Sequence, residues 1–277
     1  MPEGDTVFLL ARKLNDRLQG QVVRRSDFRV PRHATADLSG ATLLATHTHG
    51  KHLLTRFDDP HSGLLTLHTH LRMDGSWTVL GPGKRLPRRI VPDVRVLLDF
   101  QDGRSAAGLK LPVVELVKTA DEGQLTAHLG PDPLREDWDR ALAITRLTAD
   151  ADRAVSATLL DQTRMAGLGN LWVNELCYLR GISPWTPMRD VDVPVLVDLA
   201  ARLLRFSVST PGATQVTTGD PRPGNSHWVA GRSGRPCRRC GTPIQVVAEV
   251  SGDAERRRTW WCPHCQPGPP PETGRAR

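Results

Sequence analysis

Cys237 and Cys240 form one C-x2-C pair, and Cys262 and Cys265 form a second, late in a chain of 277 residues. Thiolates at this spacing converge on one tetrahedral metal, and two such pairs complete the four-sulfur shell of a single structural Zn2+. In so small a unit the metal replaces an apolar core. A redox-active pair is the competing chemistry. The fifth cysteine, Cys177, stands alone in NELCYLRG and is expected to be a buried apolar thiol.

Between the two pairs runs GTPIQVVAEVSGDAERRRTWW. The segment 244–250 is rich in β formers, 251–253 reads as a turn, and Thr259-Trp260-Trp261 returns, which predicts a β-hairpin finger and not one presenting a recognition helix. Arg232, Arg235, Arg238, Arg239, Arg256, Arg257 and Arg258 crowd this unit, opposed by Glu249, Asp253 and Glu255. A rigid hairpin with that charge suits a phosphate backbone, with an affinity that falls steeply with salt. A ribbon used only for folding or protein contact is the plainer alternative.

The elements that must position this unit follow from periodicity. Asp5, a candidate cap, opens a run in which Val7, Leu10, Leu14 and Leu18 recur at helical spacing up to Gly20, predicting a helix over 5–20. From about 21 to 118, apolar strands alternate with turns, as in ATLLATHTHGKHLLTRF and VRVLLDFQDGRSAAGLKLPVVELV, the pattern of a β-sandwich. After HLGPDPL the spacing turns helical in LREDWDRALAITRL, ADRAVSATLLDQ, NLWVNELCYLRG and VPVLVDLAARLLRFSV. The division is therefore a β-sandwich with its leading helix over 1–125, a helical domain over 126–215, a Gly/Pro/Ser-rich linker over 216–231, the finger over 232–267 and a disordered tail over 268–277. The fold class is α+β, multidomain.

Net charge is +7 and arginine carries most of it, which favours a polyanionic partner. No apolar run approaches the roughly 18 residues of a membrane span, and no signal pattern opens the chain. No membrane partner is expected, and the cytoplasm is the expected compartment.

Several motifs converge, in order: MPEG at the start, GKHLL at 50–54, HLRMDG at 70–75, LGPDPL at 129–134, LLDQTRMAGLGNLWVNELCYLRGISP at 159–184, and GRSGRPCRRCGTPI through RTWWCPHCQ. Together they resemble the formamidopyrimidine-DNA glycosylase and endonuclease VIII family over nearly the whole chain. The resemblance implies an N-terminal β-sandwich, a helix-two-turns-helix domain and a zinc finger, with damaged duplex DNA held between the lobes and no need of a partner subunit, so a monomer.

It also implies roles for single residues. Once Met1 is removed, Pro2 presents a secondary amine, the Schiff-base nucleophile. An α-amino group titrates near ~8 and a lysine near ~10.4, so more of the terminal amine is free at neutral pH. Glu3 is the general acid/base and Lys51 the proton donor for β-elimination. Arg257, between Arg256 and Arg258, is the phosphate clamp and proton donor for δ-elimination. His70 and Asn170 are phosphate ligands, and Met73 fills the void left by the extruded base, assisted by Leu71 or Arg72. Taken alone, each has a plainer reading: an ordinary exposed start for Pro2-Glu3, a solvated hairpin lysine, a strand-edge histidine, a helix cap for Asn170, a core methionine.

The implied activity is a bifunctional DNA glycosylase and AP lyase of base excision repair. The 8-oxoguanine branch opens MPELPE and carries an Arg-Phe pair where this chain has GLKLPVVELV, so the expected branch is endonuclease VIII, with oxidised pyrimidines as substrates. Thr6 stands where both branches commonly carry a second acid. The alternatives are a preference for 8-oxoguanine or formamidopyrimidine lesions, and a non-catalytic reader of damaged DNA.

Overall fold

The computed structural model describes residues 2–247 and 257–271. The end of the β-rich run 244–250, the turn expected at 251–253, Glu249, Glu255, Arg256 and tail residues 272–277 lie outside the described residues. The chain divides into two compact units, one holding Pro2 and Thr6–His128, the other Glu3–Asp5 and the chain from Leu129 onward.

In the first unit, helix α1 (Gly4–Leu18) turns Val7, Ala11, Leu14 and Leu18 inward as one buried stripe. It begins before Asp5, which lies inside the first turn instead of capping it. Gly20 follows the helix at φ 78°, a conformation open to glycine without steric cost.

Eight strands follow: β1 (Val23–Phe28), β2 (Thr42–His49), β3 (His52–Asp59), β4 (Gly63–His70), β5 (Ser76–Leu80), β6 (Val94–Phe100), β7 (Ser105–Leu109) and β8 (Val113–Lys118). They form two antiparallel four-stranded sheets, ordered β1-β6-β7-β5 and β2-β3-β4-β8. Alternate side chains of VRVLLDF are buried, and Val96, Leu98 and Phe100 meet Leu53, Phe57 and Leu67 of the other sheet in a shared core, the sandwich arrangement. The α1 stripe closes that core. A short helix, α2 (Glu122–Thr126), follows β8.

The second unit packs α3 (Arg140–Thr148), α4 (Val155–Leu160), α5 (Asn170–Arg180) and α6 (Val193–Ser209) around Leu147, Leu159, Trp172, Leu176, Leu196 and Leu204. Asp139 caps α3 by accepting from the Leu142 amide at 2.8 Å, and Asp192 caps α6 through the Val195 amide at 3.2 Å. Gly181 ends α5 at φ 67°. The finger's described strands, β9 (Gln245–Val247) and β10 (Thr259–Trp261), pair antiparallel as the hairpin predicted. No helix among the described residues is long and apolar enough to cross a membrane.

Candidate active site and metal centre

The opening MPEG and the motif AGLGN are mating parts. Glu3 is fully buried, and its carboxylate accepts from the amides of Leu171 at 2.8 Å, Gly169 at 3.0 Å and Trp172 at 3.3 Å. These amides are the first, otherwise unpaired, donors of α5, and the helix dipole places positive potential there. Gly4 donates its amide to Gly167 O at 2.9 Å. The approach is so close that a Cβ on Gly169 would lie 2.4 Å from Glu3 Cδ, and one on Gly4 would lie 2.7 Å from Gly167 Cα. Both motifs therefore need glycine for contact distance. Asp5 is likewise buried and accepts from Ser207 Oγ at 2.6 Å. The peptide immediately after Pro2 is thus anchored at three consecutive residues.

Asn170 is the first residue of α5, with Gly169 in the cap position, so it is not the side-chain cap. Its amide donates to Arg258 O at 2.8 Å, and the neighbouring Asn174 Oδ1 accepts from the Trp260 amide at 2.8 Å. Both asparagines tie α5 to the finger strand that follows Arg257. Arg257 is half-buried and Arg258 exposed.

Glu175, one turn further along α5, was not singled out by sequence. It is fully buried, and its two oxygens accept from the amides of Trp228, Val229 and Ala230, each at 2.8 Å, and from Thr217 Oγ1. The stretch 216–231 is therefore fastened to α5. The signal was present: Glu175 lies three residues after Trp172 on an otherwise apolar helix face.

The finger arginines divide by role. Arg232 is buried and donates to Trp228 O and Pro236 O. Arg238 donates to Gly224 O at 2.8 Å and to His227 O at 3.2 Å. Arg239 lies over the Tyr178 ring at 4.4 Å. Arg232 is therefore committed to the protein, while Arg238 and Arg239 make these contacts from exposed positions.

The four cysteine sulfurs lie within 4.8 Å of one another, with Cys237–Cys265 at 3.8 Å and Cys240–Cys262 at 3.5 Å. A tetrahedron of Zn–S bonds of about 2.3 Å has edges of about 3.8 Å, so the donor set fits one such ion. The amides of Arg239 and Cys265 point at Cys237 Sγ and Cys262 Sγ, both at 3.4 Å, partners that favour thiolate. Cys177 is fully buried, and burial pushes its thiol up to about 12, an inert apolar thiol as expected.

In the first unit, Lys51 sits in the β2–β3 turn beside Gly50, at φ 58°. His70 ends β4, and its Nδ1 accepts from the Arg72 amide at 3.1 Å. Met73 is 57% exposed, which rules out a core methionine. Leu71 is only 5% exposed and packs in the sandwich core, so it is not available to assist; Arg72, at φ 46°, turns the chain outward between them. Met73→Ala is accordingly expected to change stability by less than about 0.5 kcal/mol, as read by thermal unfolding.

The outer face of the same sheet carries a buried carboxylate, Glu122. It accepts from Arg56 Nη2 at 2.7 Å and Nε at 2.9 Å, from Thr66 Oγ1 at 2.6 Å, and pairs with His47 Nε2 at 2.9 Å. Burial raises its pKa, but these partners outweigh burial and hold it at about 2, below the usual 4.5. A depressed carboxylate contributes stability above its unfolded pKa and loses it as pH falls through the folded one. The stability advantage over Glu122→Gln is expected to shrink between pH 4.5 and about 2, as read by urea unfolding at stepped pH.

With this geometry in place, known proteins give the frame. The formamidopyrimidine-DNA glycosylase N-terminal domain matches residues 1–109, and the H2TH domain of the same enzyme matches 129–217. A probable endonuclease 8 2 of Streptomyces coelicolor is 47% identical over 99% of this chain and 97% of its own length. The chain belongs to the formamidopyrimidine-DNA glycosylase and endonuclease VIII family. DNA-(apurinic or apyrimidinic site) lyase Nei2 of Mycolicibacterium smegmatis is 42% identical, over 96% of this chain and 99% of its own. Among solved structures, Lactococcus lactis Fpg in complex with DNA containing N7-benzyl-Fapy-dG aligns with a TM-score of 0.77 and 26% identity, covering 96% of this chain and 100% of that one.

Within the family frame, GLKLPVVELV gains a physical description. Strand β7 ends at Leu109 and β8 begins at Val113, so only three residues connect them, with Lys110 at φ 48° and Leu111 buried. A connection this short leaves no loop on which to project an Arg-Phe pair.

Proposed function

We propose that this family member is a bifunctional DNA glycosylase and AP lyase that removes oxidised bases, pyrimidines foremost, from duplex DNA. The observation that carries the reading is the burial of Glu3 on the N-terminus of α5, which fixes the residue bonded to Pro2. In this reading the Pro2 amine attacks C1′ of the damaged nucleotide and the base departs. Because the amine is secondary, the adduct is a cationic iminium, an electron sink that acidifies C2′ and expels the 3′ phosphate. Glu3 moves protons at the opening sugar, Lys51 assists β-elimination, and Arg257 assists loss of the second phosphate, leaving a one-nucleotide gap. His70 and Asn170 hold phosphates, and Met73 fills the vacated stack.

The preference for pyrimidines is supported by the short β7–β8 connection and by the relatives named endonuclease 8. Residues 1–125 carry the nucleophile and the void filler, while 126–215 and the finger at 232–267 grip DNA. The enzyme acts as a monomer in the bacterial cytoplasm.

Cys237, Cys240, Cys262 and Cys265 hold one structural Zn2+, whose chemistry is to fix the finger and not to enter the reaction. One zinc per chain is expected by atomic emission. Cys262→Ser is expected to weaken duplex binding at least about ten-fold, because the finger folds with its metal. Gel-shift titration at fixed salt checks the second expectation.

A panel of duplexes carrying thymine glycol, dihydrouracil, 8-oxoguanine or an abasic site, each treated with borohydride, tests the activity. Adducts on abasic and oxidised-pyrimidine DNA are expected. A failure to trap any adduct would leave the non-catalytic reader, and trapping confined to 8-oxoguanine would move the preference.

A further inference from the structure

The outer face of the β2-β3-β4-β8 sheet carries a line of ionisable groups that the proposed reaction does not use. His68 is 4% exposed; its Nδ1 lies 3.3 Å from Glu115 Oε2 on β8, and its Nε2 lies 2.8 Å from Nδ1 of His52 on β3. The two imidazoles are within 10° of parallel, with centroids 5.0 Å apart. With N···N at 2.8 Å, that separation sets them end to end.

The direction of the protons follows from chemistry. A carboxylate only accepts, so His68 donates from Nδ1. A neutral imidazole that donates from Nδ1 must accept at Nε2, so His52 donates from its own Nδ1. The remaining nitrogen, His52 Nε2, then carries a lone pair, and the other groups against the ring are the imidazoles of His70 and His128. His70 stands opposite His52 in the strand register, with ring centroids 4.8 Å apart. Its orientation is reversed, because Nδ1 accepts from the Arg72 amide and the proton of the neutral ring lies on Nε2.

We propose that Glu115, His68 and His52 form a proton-ordered line that fixes His52 Nε2 as an acceptor, so that a DNA phosphate is refused at His52 and seated at His70. Phosphate oxygens accept hydrogen bonds and do not donate them, so two adjacent imidazoles of opposite polarity define a single seat. The line positions the backbone beside Lys51, and His52 and His68 are positioning residues. The functional part rests on the phosphate role given to His70 above.

The surroundings keep His52 uncharged. Burial, then His70, His68, His128 and His49, lower its pKa to about 3. Burial also lowers His68, against the pull of Glu115 and with a push from His128. Glu115 itself faces Arg32 at 3.4 Å and lies near His33.

The test is two-bond 1H–15N correlation on the full, DNA-free protein labelled at histidine, at pH 7. Protons on Nδ1 of His52 and His68, and on Nε2 of His70, are expected. An Nε2 proton or an imidazolium at His52 would overturn the proposal, whatever the variants do. Glu115→Leu removes the acceptor that orders the line, and Glu115→Gln keeps an accepting oxygen. The leucine variant is expected to move the His52 proton to Nε2 and slow single-turnover cleavage of abasic duplex about five-fold, with duplex Kd changed less than about two-fold; glutamine restores both. Slowing that glutamine does not rescue would contradict the line. If the leucine variant does not fold, the wild-type spectrum and the glutamine variant still decide. Protons placed as stated together with no borohydride adduct would leave the line standing and remove the enzymatic reading. An adduct together with an Nε2 proton on His52 would do the reverse.

Discussion

A chain that retains Met1 is expected to bind abasic duplex with near-normal affinity and to form no borohydride-trapped adduct. Pro2→Leu produces that chain, because a large second residue prevents removal of the initiator. Strand cleavage is expected to fall on the order of 10^3-fold or more, the scale of losing a covalent nucleophile rather than a binding contact. DNA binding survives because the groups assigned to phosphate, His70, Asn170 and Arg257, stand on other segments. The anchoring of Glu3, Gly4 and Asp5 confines damage to the first two residues. A parallel loss of affinity would indicate that the start of the chain serves binding more than chemistry. Gel shift and trapping on one preparation separate the two.

Glu3→Gln is expected to lower lesion excision by about 10^2- to 10^4-fold, the usual range for an acid/base group. It is also expected to cost about 1–3 kcal/mol of stability, because at least one buried donor loses its acceptor. The wild-type carboxylate satisfies three amides with two oxygens. Glutamine keeps one oxygen and turns an NH2 group toward the others. The two effects are separable: excision kinetics well below the unfolding transition report the chemistry, and the melting temperature reports the cap. A variant that melts lower and excises normally would make Glu3 a helix cap alone.

The sandwich was legible because its strands announce themselves by alternation: Val94, Val96, Leu98 and Phe100 point inward while their neighbours do not. The helices of the second unit were legible from three-and-four spacing, and the cluster of four cysteines from its two pairs. What sequence did not reveal were contacts between distant segments. Nothing local in MPEG says that Glu3 meets the amide of Gly169 across 166 residues. Nor does a loop rich in Gly, Pro and Ser disclose that three successive amides converge on Glu175, whose single acidic side chain on an apolar face was the available clue. Charge counting could not tell Arg232, buried and spent on two carbonyls, from Arg238 and Arg239, which hold their contacts from exposed positions. Composition records charge, and only packing assigns its partners.

Mapping the reduced covalent adduct to a single residue addresses the nucleophile most directly. After borohydride trapping on abasic duplex, nuclease digestion and proteolysis, peptide mass spectrometry is expected to find the sugar remnant on the nitrogen of Pro2, in a chain lacking Met1. An adduct on the Lys51 side chain, or full strand cleavage by a chain whose amino terminus is blocked, would contradict the account.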